Sequence, residues 1–335
     1  MMNEDEKKNS SLTSRRNQQI LKEINAEDCD LTKLRSLIWH GAEDNNRAII
    51  WKLLIGYLPT SSSRRETLLE RKRTEYFHYC SQIYDARSEH QTEKHLIDMK
   101  QINDDIPRTQ STVPIFKTQE IQEMLRRILY IWAIRHPVSG YVQGINDLCS
   151  IFLIVFLTPL CEFNILTELG AFPLHLRDIE ADTYWCLSNV VDSVLDYFFP
   201  SSSGIQVALM KIQDILMRID QPLAHHFKDE QLEMMHFSFR WLNCMFIREF
   251  PLSLLFRLWD GLLSISDGFR ILSIYVAVSL ILKWKDTLRK TSFNEILIFL
   301  QNLPTDTWQQ RDIEELLSQA YIYFSWFSNS PSHLK

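Results

Sequence analysis

From Leu31 onward the apolar residues of this chain recur at three- and four-residue intervals, and no stretch alternates apolar with polar as a half-buried strand does. Ile121, Met124, Leu125, Ile128, Leu129 and Trp132 form one stripe, with Glu123, Arg126 and Arg127 falling off it. Ile205, Ala208, Leu209, Ile212, Ile215, Leu216 and Ile219 repeat the pattern. Leu31, Leu34, Leu37 and Ile38 lead into a third helical stretch at 47–58, and a last amphipathic helix is predicted near 312–324. Residues 232–249 and 269–284 are apolar on more than one side, as helices in the middle of a bundle are. Hairpin signals and internal repeats are missing, so the expected fold class is all-α. Loops are expected near 59–65, 88–95, 104–118, 136–146, 158–181 and 199–204, with further breaks at Pro222, Pro251 and Pro304. The length permits one large domain or two helical lobes, whose join cannot be placed.

Glycine is scarce. The chain has eight, about 2.4% against a usual usage near 7%. None of them fits the spacing of a Rossmann or P-loop phosphate site, so no intrinsic nucleotide-binding site is expected. A net charge of -6 and a pI near 5.9 argue against a general nucleic-acid binder. The six cysteines are scattered without a C-x-x-C pair, which reads as free thiols in a reducing cytosol. His225 and His226 with Asp229 and Glu230 resemble metal ligands only loosely, because adjacent histidines point to different helix faces; no metal site is assigned. No G-x-S-x-G elbow supports a hydrolase. The longest apolar run, 149–160, is too short to span a bilayer, and residues 1–10 are charged and polar rather than leader-like. Residues 1–30 are rich in Asn, Ser, Glu and Lys and are expected to form a flexible polar tail before a domain at 31–335.

Two polar loops stand out. In the first, Pro107 fixes the backbone ahead of Arg108, and Asp105 lies three residues upstream, in reach of the guanidinium. This is either a surface turn with a local ion pair or a presented arginine. In the second, Gln143 stands between Gly140 and Gly144, with Tyr141 as an aromatic anchor. An uncharged amide there either orients a water or phosphate oxygen, or caps neighbouring backbone.

Together these segments resemble the TBC domain, the catalytic module of GTPase-activating proteins for Rab GTPases. Arg47 and Trp51 fit the family's R-x-x-x-W block, Ile102, Asp105 and Arg108 fit I-x-x-D-x-x-R, and Tyr141 and Gln143 fit Y-x-Q. Further blocks at 181–186, 239–243, 257–260 and 300–305 also look familiar, and the resemblance covers roughly 31–334. It is closest to the branch of the yeast Golgi Rab GAP and its animal relatives. One departure is Cys149-Ser150, where that branch usually shows a Thr-Pro pair. Relatives often carry a longer N-terminal region, so the chain is expected to be short or truncated by comparison.

The resemblance implies a Rab GAP that supplies Arg108 as an arginine finger and Gln143 as a glutamine finger in trans. Asp105, Tyr141 and Gly144 would support them, while Arg47 and Trp51 brace the scaffold. It implies no cofactor of its own, action on the GTP and Mg held by a GTP-bound Rab, and a cytoplasmic protein peripheral at Golgi or other endomembranes through its partners. The alternative is a non-catalytic TBC scaffold that binds a Rab or adaptor proteins.

Overall fold

A computed structural model describes residues 4–87, 92–174 and 176–328, with side chains from Thr13 onward. Among these residues there is no β-strand, only an isolated antiparallel bridge between Asp28 and Ser61. The chain divides into two compact units, Met1–Ser193 and Val194–Lys335. That supplies the join the sequence left open.

The first unit carries α1 (Glu4–Ile24), α2 (Leu31–Ile38), α3 (Asp44–Leu54) and α4 (Arg65–Tyr79), which a π-helical turn at Cys80–Asp85 extends. There follow α5 (Glu93–Asp105), α6 (Gln119–Arg135), α7 (Ile145–Leu157) and α8 (Leu176–Val194). Every stripe residue predicted on α6 is buried. All of α7 is buried, which is why it shows no polar face in the sequence. Trp51 of α3 is fully buried and meets Phe152 of α7 edge-on, ring centroids 6.2 Å apart. Side chains of this size contribute roughly 1.5–3 kcal/mol each when removed from water.

Two carboxylates on α8 are buried and are met by part-buried cations and buried tyrosines. Asp182 receives Lys52 at 2.5 Å, the Tyr57 hydroxyl at 2.8 Å and the Arg73 fork at 2.9 and 3.0 Å. Glu180 receives the Arg127 fork at 2.6 and 2.7 Å and the Tyr76 hydroxyl at 2.7 Å. A buried charge is tolerated when it is matched in this way. The result ties α3, α4, α6 and α8 together.

The flexible tail expected over 1–30 is corrected by α1. Residues 1–3 lie outside the described residues, but Ile20 and Ile24, four apart on one helix face, are buried. Glu23 between them is buried too, accepting from the Asp30 backbone at 2.8 Å and from Lys33 at 2.7 Å. Asp30 in turn caps α2. The polar composition hid one short apolar face that finds a partner surface. The loop expected at 158–181 is also shorter, because α8 begins at Leu176. Residues 88–91 of the loop expected at 88–95, residue 175 of the loop expected at 158–181, and residues 329–334 of the resemblance lie outside the described residues.

The second unit contains α9 (Ser203–Ile219), α10 (Gln221–Asp229), α11 (Ser238–Asn243), α12 (Leu252–Leu263), α13 (Gly268–Lys283), α14 (Lys285–Leu288), α15 (Phe293–Gln301) and α16 (Gln310–Phe327). The α9 stripe is buried except for half-buried Ile219. Pro222 lies in the first turn of α10, and Pro251 caps α12. The apolar stretch 232–249 is not one helix. It breaks into a 3-10 turn at Met234–His236 and the short α11, after which Met245 and Phe246 take left-handed φ of 48° and 61°. Both side chains are fully buried, and the Met245 carbonyl accepts from the Trp259 indole at 3.0 Å. Tertiary burial overrides the local preference there. Five of the six cysteines are buried; Cys161 is half-buried.

Candidate functional site

Helix α5 ends at Asp105, and a single 3-10 turn, Ile106–Arg108, follows with Pro107 inside it. Proline has no backbone donor and a fixed φ, so the turn cannot continue the helix. Asp105 is buried while Arg108 projects into solvent, its side chain 68% exposed. The two remain joined, Arg108 Nη2 to Asp105 Oδ1, at 2.9 Å. Asp105 Oδ2 accepts from the Tyr141 hydroxyl, also at 2.9 Å. One carboxylate therefore holds both loops that the sequence singled out. Burial, and then the Asp105 charge, push the Tyr141 phenol far above its ordinary pKa, so it stays a donor.

Tyr141 lies two residues before Gln143, and Gln143 is exposed. The loop that carries them depends on left-handed backbone at Gly140 (φ 66°) and Gly144 (φ 105°), which favours glycine. Gly140 also needs the room: a Cβ there would sit 2.9 Å from Asp98 Oδ1 and from Lys94 Cε. Asp98 Oδ1 accepts from the Tyr141 backbone N–H at 3.1 Å. Asp98 and Asp105 stand seven residues apart on α5, two turns along one helix face. Between them they hold Tyr141 by its backbone and by its hydroxyl.

Asn146, in the first turn of α7, closes the arrangement. Its Oδ1 lies 3.1 Å from both the Tyr141 hydroxyl and the Gly144 N–H, and its Nδ2 donates to Thr109 Oγ1 at 2.9 Å. Asn146, Thr109 and Asp98 are all buried, and none was picked out from the sequence. Asn146 is the last residue of the loop expected at 136–146. Nothing local distinguished Asp98, which the fold alone brings under the loop.

Arg47 and Trp51 are not part of this network. Arg47 is buried, bonded to Asp44 and to the Ala42 carbonyl at 2.6 Å, and Trp51 packs on α7. Cys149 and Ser150 are fully buried in an unbroken α7, and Ser150 donates to the Asp147 carbonyl at 2.6 Å. His226 faces the Thr291 carbonyl at 2.9 Å, and Glu230 accepts from the Phe293 N–H at 2.6 Å. Among the described residues no group of three or more His, Cys, Asp or Glu is placed to hold a metal ion. Nor is any helix among them long and apolar enough to cross a membrane.

What the site can do chemically is limited and specific. It presents one cation and one neutral amide to solvent, on loops bound to each other beneath the surface.

Comparison with known proteins gives a consistent result. The Rab-GTPase-TBC domain model matches residues 44–288. The chain is 40% identical over 317 residues to TBC1 domain family member 22B of Homo sapiens, covering 93% of this chain and 62% of that protein. It is 40% identical over 321 residues to the GTPase-activating protein gyp1 of Schizosaccharomyces pombe, covering 93% of this chain and 61% of the relative. The chain thus spans about three fifths of the length of these curated relatives. The crystal structure of the Ypt/Rab-GAP domain of Gyp1p superposes with a TM-score of 0.86 at 35% identity, covering 94% of this chain and 99% of that one.

Proposed function

Because the chain belongs to the Rab-GTPase-TBC domain family, we propose that it is a GTPase-activating protein for a Rab-type small GTPase, with Arg108 and Gln143 as its reaching side chains. The observation that carries the reading is the buried link from Arg108 through Asp105 to Tyr141, which mounts an exposed arginine and an exposed glutamine on one support. GTP hydrolysis gathers charge on the phosphate oxygens in the transition state, and catalysis consists mostly of positioning and electrostatics. A guanidinium inserted from outside neutralises that charge. An arginine finger is worth roughly 10³–10⁵ in rate, or about 4–7 kcal/mol of barrier. The Gln143 amide, both donor and acceptor, orients the attacking water against the γ-phosphate. The nucleotide and its Mg belong to the GTP-bound partner, so a chain poor in glycine loops can do this work. In this reading the chain meets endomembranes, the Golgi among them, through its Rab rather than through a helix of its own.

Single-turnover GTP hydrolysis across a panel of purified Rabs tests the proposal. At least one Rab is expected to be accelerated, and Arg108→Ala and Gln143→Ala are each expected to remove most of the gain. Acceleration of none, or full activity in both variants, overturns it. Rab binding that survives both substitutions without any rate gain would instead support the scaffold alternative.

A further inference from the structure

We propose that Asn146 is a positioning residue that couples the arginine loop to the glutamine loop, so that Arg108 and Gln143 reach a partner as one rigid unit. The inference rests on the Rab-GAP reading and adds to it a residue that touches neither substrate nor phosphate.

Asn146 is 3% exposed, and both ends of its amide are engaged. On the glutamine side, Oδ1 takes the N–H of Gly144, the neighbour of Gln143, and approaches the Tyr141 hydroxyl. On the arginine side, Nδ2 donates to the hydroxyl of Thr109, the neighbour of Arg108. Thr109 is itself buried, and its hydroxyl donates to the Asp105 carbonyl at 3.0 Å. The amide therefore contacts a residue adjacent to each finger.

The chemistry demands an amide. The site needs an acceptor on one side and a donor on the other, and a carboxylate would offer two acceptors. A carboxylate at 146 would also stand near Asp105, separated only by Tyr141, and beside Asp147. An apolar side chain would leave the Gly144 N–H buried without its acceptor. The coupling is also short: Arg108, Thr109, Asn146, Gly144 and Gln143 form a path of chain neighbours and two hydrogen bonds. Freedom gained at either bond passes directly to a finger. Reactions governed by positioning are sensitive to small displacements, since about 1 Å of misplacement can cost on the order of 10²-fold in rate.

A merely structural asparagine would affect stability alone, so the test separates the two roles. The full chain and its Asn146→Ala, Thr109→Val and Thr109→Ser variants are compared in single-turnover hydrolysis on a responsive Rab, with the concentration of the chain varied. Asn146→Ala and Thr109→Val are expected to lower the maximal rate by about 10²-fold while the half-saturating concentration moves by less than about twofold. Thr109→Ser keeps the hydroxyl and is expected to retain the rate. In an Arg108→Ala background, Asn146→Ala is expected to add little, as linked residues do. Folded variants with the parent's maximal rate, or with a change only in half-saturation, overturn the proposal. Hydrogen exchange of the free chain supplies a readout that needs no Rab. Thr109→Val is expected to speed exchange across 136–145 as well as in its own loop. Acceleration confined to 106–113 overturns the coupling. If the parent accelerates no Rab, it is the Rab-GAP reading that fails, and exchange alone then judges whether the loops are linked.

Discussion

Arg108 has 68% of its side chain in solvent, while Asp105, which holds it, has 8%. An ion pair with so exposed a partner contributes only about 0–1 kcal/mol to stability, so its value lies in orientation. The planar fork leaves donors for a second acceptor while one nitrogen stays on Asp105. Arg108→Lys keeps the charge and loses the fork. It is expected to remain within about tenfold of the alanine variant in single-turnover rate, because an ammonium lacks the planar fork that pairs two oxygens in parallel; near-parental rates would show that diffuse charge suffices. At this scale the sequence was legible where a residue sits in a local pattern, as Arg108, Gln143, Tyr141 and Gly144 do. It was silent on Asp98, Thr109 and Asn146, whose bonds run between positions 37 and 43 apart in the chain for Thr109 with Asn146 and Asp98 with Tyr141.

Helix α5 is the mount of the site: Asp98 and Asp105 hold the glutamine loop from one face, and the arginine turn leaves its end. Its register depends on packing that single-sequence periodicity does not reveal. The α6 and α9 stripes were legible because each helix has one buried and one wet face. Helix α4 was not, since Tyr76 is its only buried residue, and 232–249 misled because burial on all sides imitates a continuous helix. The same limitation affects α1. A fragment cut at residue 31 would follow the composition, yet it removes the buried Ile20 and Ile24 and the Asp30 cap of α2. The losses are roughly 1.5–3 kcal/mol for each apolar side chain and about 1 kcal/mol for the cap. Thermal melting of that fragment beside the full chain is expected to show a clear drop in Tm; equal values would mean that α1 adds nothing.

Across the molecule, the all-α class was readable because helical periodicity runs nearly the length of the chain, but the division near residue 193 was not, because no soft linker marks it. The buried charges are equally hidden in the sequence and set the response of the protein to acid. Burial opposes ionisation of Asp182, but Arg73 and Lys52 outweigh it and hold its pKa below the ordinary 3.8. A depressed carboxylate contributes stability that is complete above its unfolded pKa and is lost as pH falls through the folded one. Denaturation midpoints are therefore expected to decline below about pH 4. Asp182→Asn is expected to lose about 3 kcal/mol at neutral pH, since it leaves Lys52 without its carboxylate and Arg73 with Asp178 alone, and to show a flatter acid limb. An unchanged midpoint at pH 7 would show that the cluster is not stabilising.

The distribution of thiols has a practical consequence. With Cys29, Cys80, Cys149, Cys186 and Cys244 buried and Cys161 half-buried, the folded chain offers one sulfur to a bulky electrophile. Desolvation raises the Cys161 thiol above its usual pKa, so alkylation is slow at neutral pH and gains as the medium turns alkaline. Intact-mass measurement after maleimide treatment is expected to show a single adduct, placed at Cys161 by peptide mapping; several adducts on folded protein would contradict the burial of the others. The chain thus carries a single attachment point for a fluorophore, through which binding of the GTPase proposed above can be tested without removing a cysteine.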